Sequence, residues 1–131
     1  MKSEKAIKNK PKYLSQGYAT KTCGQTVLAM ITGLSVENIC KQIGKQETTS
    51  MLNDLKPFLE NHGYDTEFKR IRYFKEVPDS SIVLLSKQGV ASGHFVLKKN
   101  DKYFDPYDGI VDQYNEEIRY ALCYLNFKKN P

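Results

Sequence analysis

The chain has 131 residues, of which 40% are hydrophobic and 27% are charged, and its formal net charge is +5. These are the proportions of one globular domain, and they exclude a largely disordered chain. Much of the positive charge lies near the two ends, so we predict basic tails over residues 1–12 and 128–131 and a single domain over 13–127. Charge runs at chain ends are usually solvated, which makes nucleic acid a disfavoured partner.

The cysteine content and the hydropathy exclude further classes. The three cysteines include no CxxC pair, which argues against a disulfide scaffold and a zinc site, so we expect reduced thiols and neither a metal nor a cofactor. No apolar run is long enough for the core of a signal peptide or for a transmembrane segment. We therefore expect a cytoplasmic protein, or one that is secreted by a Sec-independent route.

The first predicted helix runs from Cys23 to Thr32, after a polar loop over residues 13–22. Its apolar residues cover more than one face, which is typical of a helix packed on both sides, and Gly33 is placed to end it. Thr22 is placed to cap the helix, so Cys23 lies on the first turn, where unpaired backbone N–H groups and the helix dipole favour a thiolate. The alternative is a buried, unreactive cysteine, which is a common environment for this residue.

Two further helices are predicted, one over Val36–Ile43 and one from Thr49 or Ser50 to about Asn61. In the second of them, apolar residues recur at intervals of three and four, as they do on one face of a helix. Pro57 lies inside that helix, removes one backbone hydrogen bond and is expected to kink it.

Beyond residue 63 the pattern changes to that of strands. Residues 64–73 mix aromatic and charged residues with partial alternation, which predicts one or two short edge strands. Ser81–Ser86 is a continuous apolar run, typical of a strand buried on both faces. Two more strands, over residues 94–98 and 102–105, flank turn-forming residues and predict a hairpin.

This hairpin carries a histidine and an aspartate whose relative position depends on the turn. With a two-residue turn, His94 and Asp105 share a face and lie within side-chain reach, whereas an odd loop without a bulge puts them on opposite faces. Together with Cys23 they would form a nucleophile, a base and its orienting carboxylate. A catalytic role therefore predicts an even turn or a bulge. Asp105 before Pro106 also favours a turn, and Asp108 is the fallback for the orienting carboxylate.

The end of the chain is predicted to hold a short helix from Glu116 to about Ala121, capped by Asn115, and a last strand over residues 123–127. The whole pattern predicts an α+β fold. In this fold, N-terminal helices pack against a mainly antiparallel sheet built from the C-terminal half.

Three other residues could compete for the chemistry. Cys40 has no histidine or basic partner at helical spacing, so we interpret it as a packing residue. Cys123 is interpreted as core or edge-strand filler. His62 is the only rival base, but it ends a helix beside a capping glycine, where a histidine is more often a surface residue favoured by the dipole.

Four motifs follow one another in a recognisable order: Cys23-Gly24 with Leu28-Ala29-Met30, Thr49-Ser50-Met51-Leu52, His94-Phe95-Val96-Leu97, and Asp105-Pro106. In this they resemble papain-like cysteine peptidases, and most closely the double-glycine leader peptidase domains at the front of bacteriocin-exporting transporters. The resemblance covers most of residues 13 to 110. It implies a papain-like fold and a narrow cleft that accepts a peptide with two glycines before the scissile bond.

An oxyanion hole is also implied. In papain-like enzymes a glutamine, commonly six positions before the cysteine, donates a side-chain N–H to the tetrahedral intermediate, alongside the backbone N–H of the cysteine itself. Gln16 lies seven positions before Cys23, and the extra residue could be absorbed at Gly17. Gln25 or another group is the alternative donor.

The resulting prediction is a cysteine peptidase that cleaves a peptide or isopeptide bond of a peptide or protein substrate, with Cys23, His94 and Asp105 as the triad and Gln16 in the oxyanion hole. The chain departs from the family at Thr22, where an acidic residue is usual, and family members are usually fused to a transporter. Alternatives are an effector or toxin that deamidates another amide and a non-catalytic peptide-binding domain. A basic nucleic-acid-directed module is the least favoured.

Overall fold

The computed structural model describes residues 13–15, 21–71, 73–86, 93–114 and 117–127, the last range through its backbone only. Its helices are α1 (Cys23–Thr32), α2 (Val36–Ile43) and α3 (Lys56–Asn61), the last preceded directly by a π-helical turn over Met51–Leu55. A short 3₁₀ helix covers Phe74–Glu76. The strands are β1 (Tyr64–Lys69), β2 (Ser81–Ser86), β3 (His94–Lys99), β4 (Lys102–Asp105), β5 (Gly109–Val111) and β6 (Glu117–Phe127).

Helix α1 begins at Cys23, as predicted, but not through the predicted cap. The Thr22 side chain makes no capping hydrogen bond, because the backbone of this residue (φ −106°, ψ 33°) is not in the extended conformation that aims a cap at the first turn. Its backbone carbonyl instead accepts the N–H of Thr26 at 2.9 Å. The predicted C-terminal end is confirmed, since Gly33 is left-handed (φ 81°) and donates its N–H to Ala29.

The helix that contains Pro57 starts at Ser50, whose side chain accepts the N–H of Asn53. The turn before the proline is widened. The N–H of Leu55 reaches the carbonyl of Ser50 at 3.0 Å, five residues back. Pro57 then lies in the first turn of α3, where its missing N–H costs little.

Six strands of the described chain form one sheet in the order β1-β6-β2-β3-β4-β5, and each neighbouring pair is antiparallel. Strand β1 lies at one edge, as predicted for residues 64–73, and covers the first six of those residues. Strand β2 lies between β3 and β6, and residues 81–85 are all buried. This confirms the prediction of a strand covered on both faces.

The predicted helix over 116–121 is wrong. Residues 117–127 form β6, which pairs with β1 on one side and β2 on the other. The ladder with β2 runs from Glu117 to Cys123 and the ladder with β1 from Ala121 to Phe127. These long-range pairings outweigh a weak local helix preference. Asn115 and Glu116 lie outside the described residues, as does the side chain of Cys123, whose backbone pairs with Ser81 in an interior rather than an edge position.

The two faces of the sheet carry separate apolar clusters. The helices cover one face, where α1 contributes Val27, Leu28 and Ile31 and β3 contributes Phe95 and Leu97. Full burial of each such side chain contributes about 1.5–3 kcal/mol. The other face has a smaller cluster that includes residues of β2, β3 and β4 together with Ile71 and Val77. The predicted α+β arrangement is confirmed, and within the described ranges no helix has the length and hydropathy needed to cross a membrane.

Candidate active site

Three element ends meet at one place in the fold. Cys23 is the first residue of α1, His94 is the first residue of β3, and Asp105 is the last residue of β4. Helix α1 packs against β3, so the N-terminus of the helix lies beside the start of that strand. We call these three residues the junction.

The hairpin between β3 and β4 has the geometry that a catalytic histidine and aspartate require. Asn100 and Asp101 have φ angles of 56° and 62°, and Lys99 pairs with Lys102, so the turn has two residues. The even-length turn predicted from the sequence is therefore confirmed. Continuing this register puts Asp105 diagonally across from His94 on the same face of the sheet.

The His94 ring is buried and has a partner on each side. Its Nε2 lies 2.6 Å from Oδ1 of Asp105, which leaves Nδ1 as the ring nitrogen for the hydrogen bond with Cys23. Burial alone would lower the pKa of His94, but the hydrogen bonds and the negative charges of Asp105 and Cys23 raise it to about 9. Near neutral pH the geometry therefore favours an imidazolium between two acidic groups.

The Asp105 carboxylate is fully buried and accepts hydrogen bonds at both oxygens. Oδ1 accepts from His94 and from the backbone N–H groups of Tyr107 and Asp108, at 2.8 and 3.1 Å. Oδ2 accepts from the hydroxyl of Tyr114 at 2.5 Å. Burial would raise the pKa of Asp105, but the hydrogen bonds from His94 and Tyr114 lower it to about 2. The carboxylate thus stays ionised well below neutral pH.

The turn predicted at Asp105 and the contact with His94 both exist, because the same oxygen serves both. Asp108, the fallback for the orienting carboxylate, contributes its backbone N–H to Asp105 while its side chain is exposed. The carboxylate that contacts His94 is that of Asp105.

Two glycines allow other parts of the chain to approach the backbone closely beside the junction. At Gly93 (φ 86°) an added Cβ would lie 2.8 Å from the carbonyl oxygen of Leu85, so only glycine fits directly before His94. At Gly24 a Cβ would lie 2.1 Å from the hydroxyl oxygen of Thr49. The chain that leads into the π-helical turn before α3 therefore lies against α1, one residue after Cys23.

Two glutamines, Gln16 and Gln25, are the candidate side-chain donors to an oxyanion. The side-chain amide of Gln25 is fully buried, and its Nε2 donates to the carbonyls of Lys45 and Glu47 at 3.1 and 2.8 Å. Both amide protons of Gln25 are therefore used to bind the loop that contains these carbonyls. The prediction of Gln25 as an alternative oxyanion donor is wrong. Gln16 lies outside the described residues.

The rival residues have other partners. His62 contacts Oε1 of Gln42 through Nε2 at 2.8 Å and lies against the ring of Phe58, with ring centroids 4.3 Å apart. Cys40 is buried, and burial raises the pKa of its thiol, which favours the unreactive protonated form. Within the described ranges, no group of three His, Cys, Asp or Glu residues is arranged to hold a metal ion.

Two tyrosines that contact Asp105 were not predicted from the sequence. Tyr114 contacts the carboxylate of Asp105, and Tyr13 donates its hydroxyl to the backbone carbonyl of the same residue at 2.7 Å. Tyr13 lies in the predicted polar loop and Tyr114 in the segment after β5. Neither residue has a local pattern that could have revealed these contacts, because the fold alone brings them to Asp105.

Comparison with known proteins gives structural matches only, since neither a family model nor a curated protein matches the sequence. One solved structure, a double-glycine motif protease from an AMS/PCAT transporter in complex with the leader peptide, has a TM-score of 0.67 at 18% identity, over 89% of this chain and 94% of the other. The peptidase domain of Streptococcus ComA, a bifunctional ABC transporter in a quorum-sensing pathway, has a TM-score of 0.65 at 14% identity, over 90% and 98%. The chain thus has the fold of double-glycine peptidase domains.

Proposed function

We propose that this protein is a cysteine peptidase that uses Cys23 as nucleophile, His94 as general acid and base, and Asp105 to orient and charge the histidine. The observation that carries the proposal is the position of His94, which contacts Asp105 with one side of its ring and Cys23 with the other. This is the arrangement of a nucleophile, a base and its orienting group.

The reaction follows from the charges of the junction. The Cys23 thiolate attacks the carbonyl carbon of the scissile amide. The His94 imidazolium then gives its proton to the leaving amine, and a thioester remains on Cys23. Neutral His94 next takes a proton from water, whose oxygen attacks the thioester. Expulsion of the thiolate regenerates the ion pair, while buried Asp105 keeps the ring aligned throughout.

The first turn of α1 supports stabilisation of the oxyanion. Cys23 opens the helix, and the first N–H groups of a helix have no acceptor within it. The backbone N–H of Cys23 is therefore a candidate donor to the tetrahedral intermediate, and we propose Gln16 as the second donor.

The fold comparison supports the substrate class. One neighbour is a double-glycine motif protease in complex with a leader peptide. We propose that the present chain likewise acts on a peptide and cleaves after two small residues, because glycine lets a substrate backbone pass closest to the half-buried Cys23.

The test combines thiol reactivity with cleavage. Alkylation rates at each cysteine are measured against pH by mass spectrometry in the wild-type protein, in His94→Ala and in the matched control His62→Ala. We expect Cys23 to react well below the pH at which an ordinary thiol ionises, to lose this advantage in His94→Ala and to keep it in His62→Ala. A synthetic peptide with a central Gly-Gly pair should be cleaved by the wild-type protein and not by His94→Ala.

Two results would count against the proposal. If Cys23 reacts no faster than Cys40 at any pH, the thiolate–imidazolium pair does not exist. If Cys23 is reactive but the peptide binds without being cleaved, the domain is a peptide-binding module and not a peptidase.

A further inference from the structure

The Asp105 carboxylate has more hydrogen-bond partners than its contact with His94 requires. Oδ1 alone accepts from His94 and from two backbone N–H groups of the following turn. Those contacts leave Oδ2 to be satisfied in a place that solvent does not reach, since Asp105 is fully buried. A buried carboxylate oxygen without a donor would favour protonation or rotation of the group.

The donor to Oδ2 is Tyr114, and it is held from two sides. Its ring is stacked on Phe74, with centroids 6.2 Å apart and 20° between the planes. It also packs edge-on against Tyr103, with centroids 5.4 Å apart, and Tyr103 packs in the same way on Phe74 at 5.8 Å. This aromatic cluster fixes the direction of the hydroxyl, which lies 2.5 Å from Oδ2.

From this geometry we infer that Tyr114 is a positioning residue of the junction, which holds Asp105 in the orientation that contacts His94 and keeps it ionised. The inference rests on the function proposed above for Cys23 and His94. The hydrogen bond from Tyr114 is one of the causes of the low pKa of Asp105. Without it, a carboxylate that takes up a proton at higher pH would no longer stabilise the imidazolium form of His94.

The chain contains a matched control. Tyr114→Phe removes one oxygen atom and keeps the ring contacts. Tyr103→Phe makes the same chemical change in the same aromatic cluster, on a ring that packs against Tyr114 and Phe74. Any effect that arises from loosening the cluster should appear in both variants, whereas loss of the bond to Asp105 should appear only in Tyr114→Phe.

The first measurement is the titration of the Asp105 side-chain carbon by NMR in protein labelled at aspartate, assigned with Asp105→Asn. We expect the pKa of Asp105 to rise by about one unit in Tyr114→Phe and to stay at its wild-type value in Tyr103→Phe. The second measurement is alkylation of Cys23, whose acid limb should move to higher pH in Tyr114→Phe alone. An unchanged titration in Tyr114→Phe, or equal shifts in the two variants, would overturn the inference.

These readouts separate the two proposals. If the wild-type protein cleaves no peptide and Cys23 is unreactive, the proposed function fails, while the Asp105 titration still decides whether Tyr114 acts on the carboxylate. If Tyr114→Phe does not fold, the wild-type protein carries the test through its proton NMR spectrum. A hydroxyl proton of Tyr114 that donates to the buried carboxylate should give a protected signal that moves in Asp105→Asn, and its absence from the wild-type spectrum would overturn the inference.

Discussion

Two regions of the molecule contain the same residue types in different surroundings. At the N-terminal end of α1 is the junction, with Cys23 and His94 in contact. Later in the chain is what we call the distal helical region, α2 and α3 with the residue that ends α3, which contains Cys40 and His62. Each region has a cysteine and a histidine, but only in the junction does a buried carboxylate contact the histidine. In the distal helical region the histidine contacts the neutral amide of a glutamine.

The difference shows that the same residue types have different electrostatic surroundings in the two regions. Cys40 is buried, and burial raises the pKa of its thiol, whereas Cys23 is half-buried at a helix start beside the His94 ring. A helix N-terminus and an imidazolium both favour a thiolate, and an apolar environment opposes it. Substitutions of matched residues in the two regions test whether this difference in surroundings controls their behaviour.

The largest expected effect comes from the cysteines. Cys23→Ala should lower the rate of peptide cleavage by at least about 10⁴-fold, because it removes the nucleophile. Cys40→Ala should leave the rate nearly unchanged and lower the free energy of unfolding by about 1 kcal/mol, because it leaves a small cavity. Cleavage kinetics and urea unfolding of both variants measure these effects. Equal rate losses in the two variants would remove the distinction between the regions.

The next effect compares two glycines with nearly the same backbone conformation. Gly93 next to the junction and Gly33 at the other end of α1 have φ angles of 86° and 81°, but only Gly93 has atoms within reach of an added Cβ. Gly93→Ala should therefore cost on the order of 3 kcal/mol of unfolding free energy, from strain plus the clash with Leu85. Gly33→Ala should cost about 1 kcal/mol, from backbone strain alone.

Chemical denaturation at neutral pH measures both glycine variants. Gly93→Ala should in addition slow the alkylation of Cys23, since the clash displaces the start of β3 and with it His94. Similar losses of stability in the two variants would mean that the close approach at Gly93 is relieved without cost.

The smallest effect is the pH dependence of stability. The pKa of His94 is raised from 6.5 to about 9 by its folded-state partners, so its contribution is fully present below pH 6.5 and is lost as the pH rises through about 9. The pKa of Asp105 is lowered from 3.8 to about 2, so its contribution is fully present above pH 3.8 and is lost as the pH falls through about 2. Both contributions are complete between pH 3.8 and 6.5.

Unfolding free energy measured against pH should therefore be highest in that window and fall on either side by an amount on the order of 2 kcal/mol. Asp105→Asn should flatten both slopes, because it removes the charge that His94 pairs with. His62→Gln, in the distal helical region, should keep them. Slopes that survive unchanged in Asp105→Asn would show that other groups control the pH dependence.

The features that could be predicted from the sequence are those decided by neighbouring residues. The end of α1 at Gly33 follows from the left-handed conformation that glycine adopts readily. The start of the π-helical turn after Ser50 follows from the ability of a serine side chain to cap a helix. The His94 and Asp105 pair could be predicted because a two-residue turn fixes the register of a hairpin.

The features that could not be predicted depend on distant partners. Residues 117–121 form a strand because they pair with β2, which lies some thirty residues earlier in the chain, and no local pattern reveals that. The amide of Gln25 is used by two loop carbonyls some twenty residues away. Tyr114 reaches Asp105 through the packing of an aromatic cluster and not through sequence spacing.

The strand order also determines when the sheet can be completed during synthesis. Strands β3, β4 and β5 pair with their neighbours in sequence and can form as soon as they are made, whereas β1 joins the sheet only through β6. A nascent chain that ends at residue 114 already carries Cys23, His94 and Asp105, yet its first strand still lacks its partner. Formation of such long-range pairs is slow. The sheet is therefore completed only after β6, a strand that carries none of the three residues, has been synthesised and inserted.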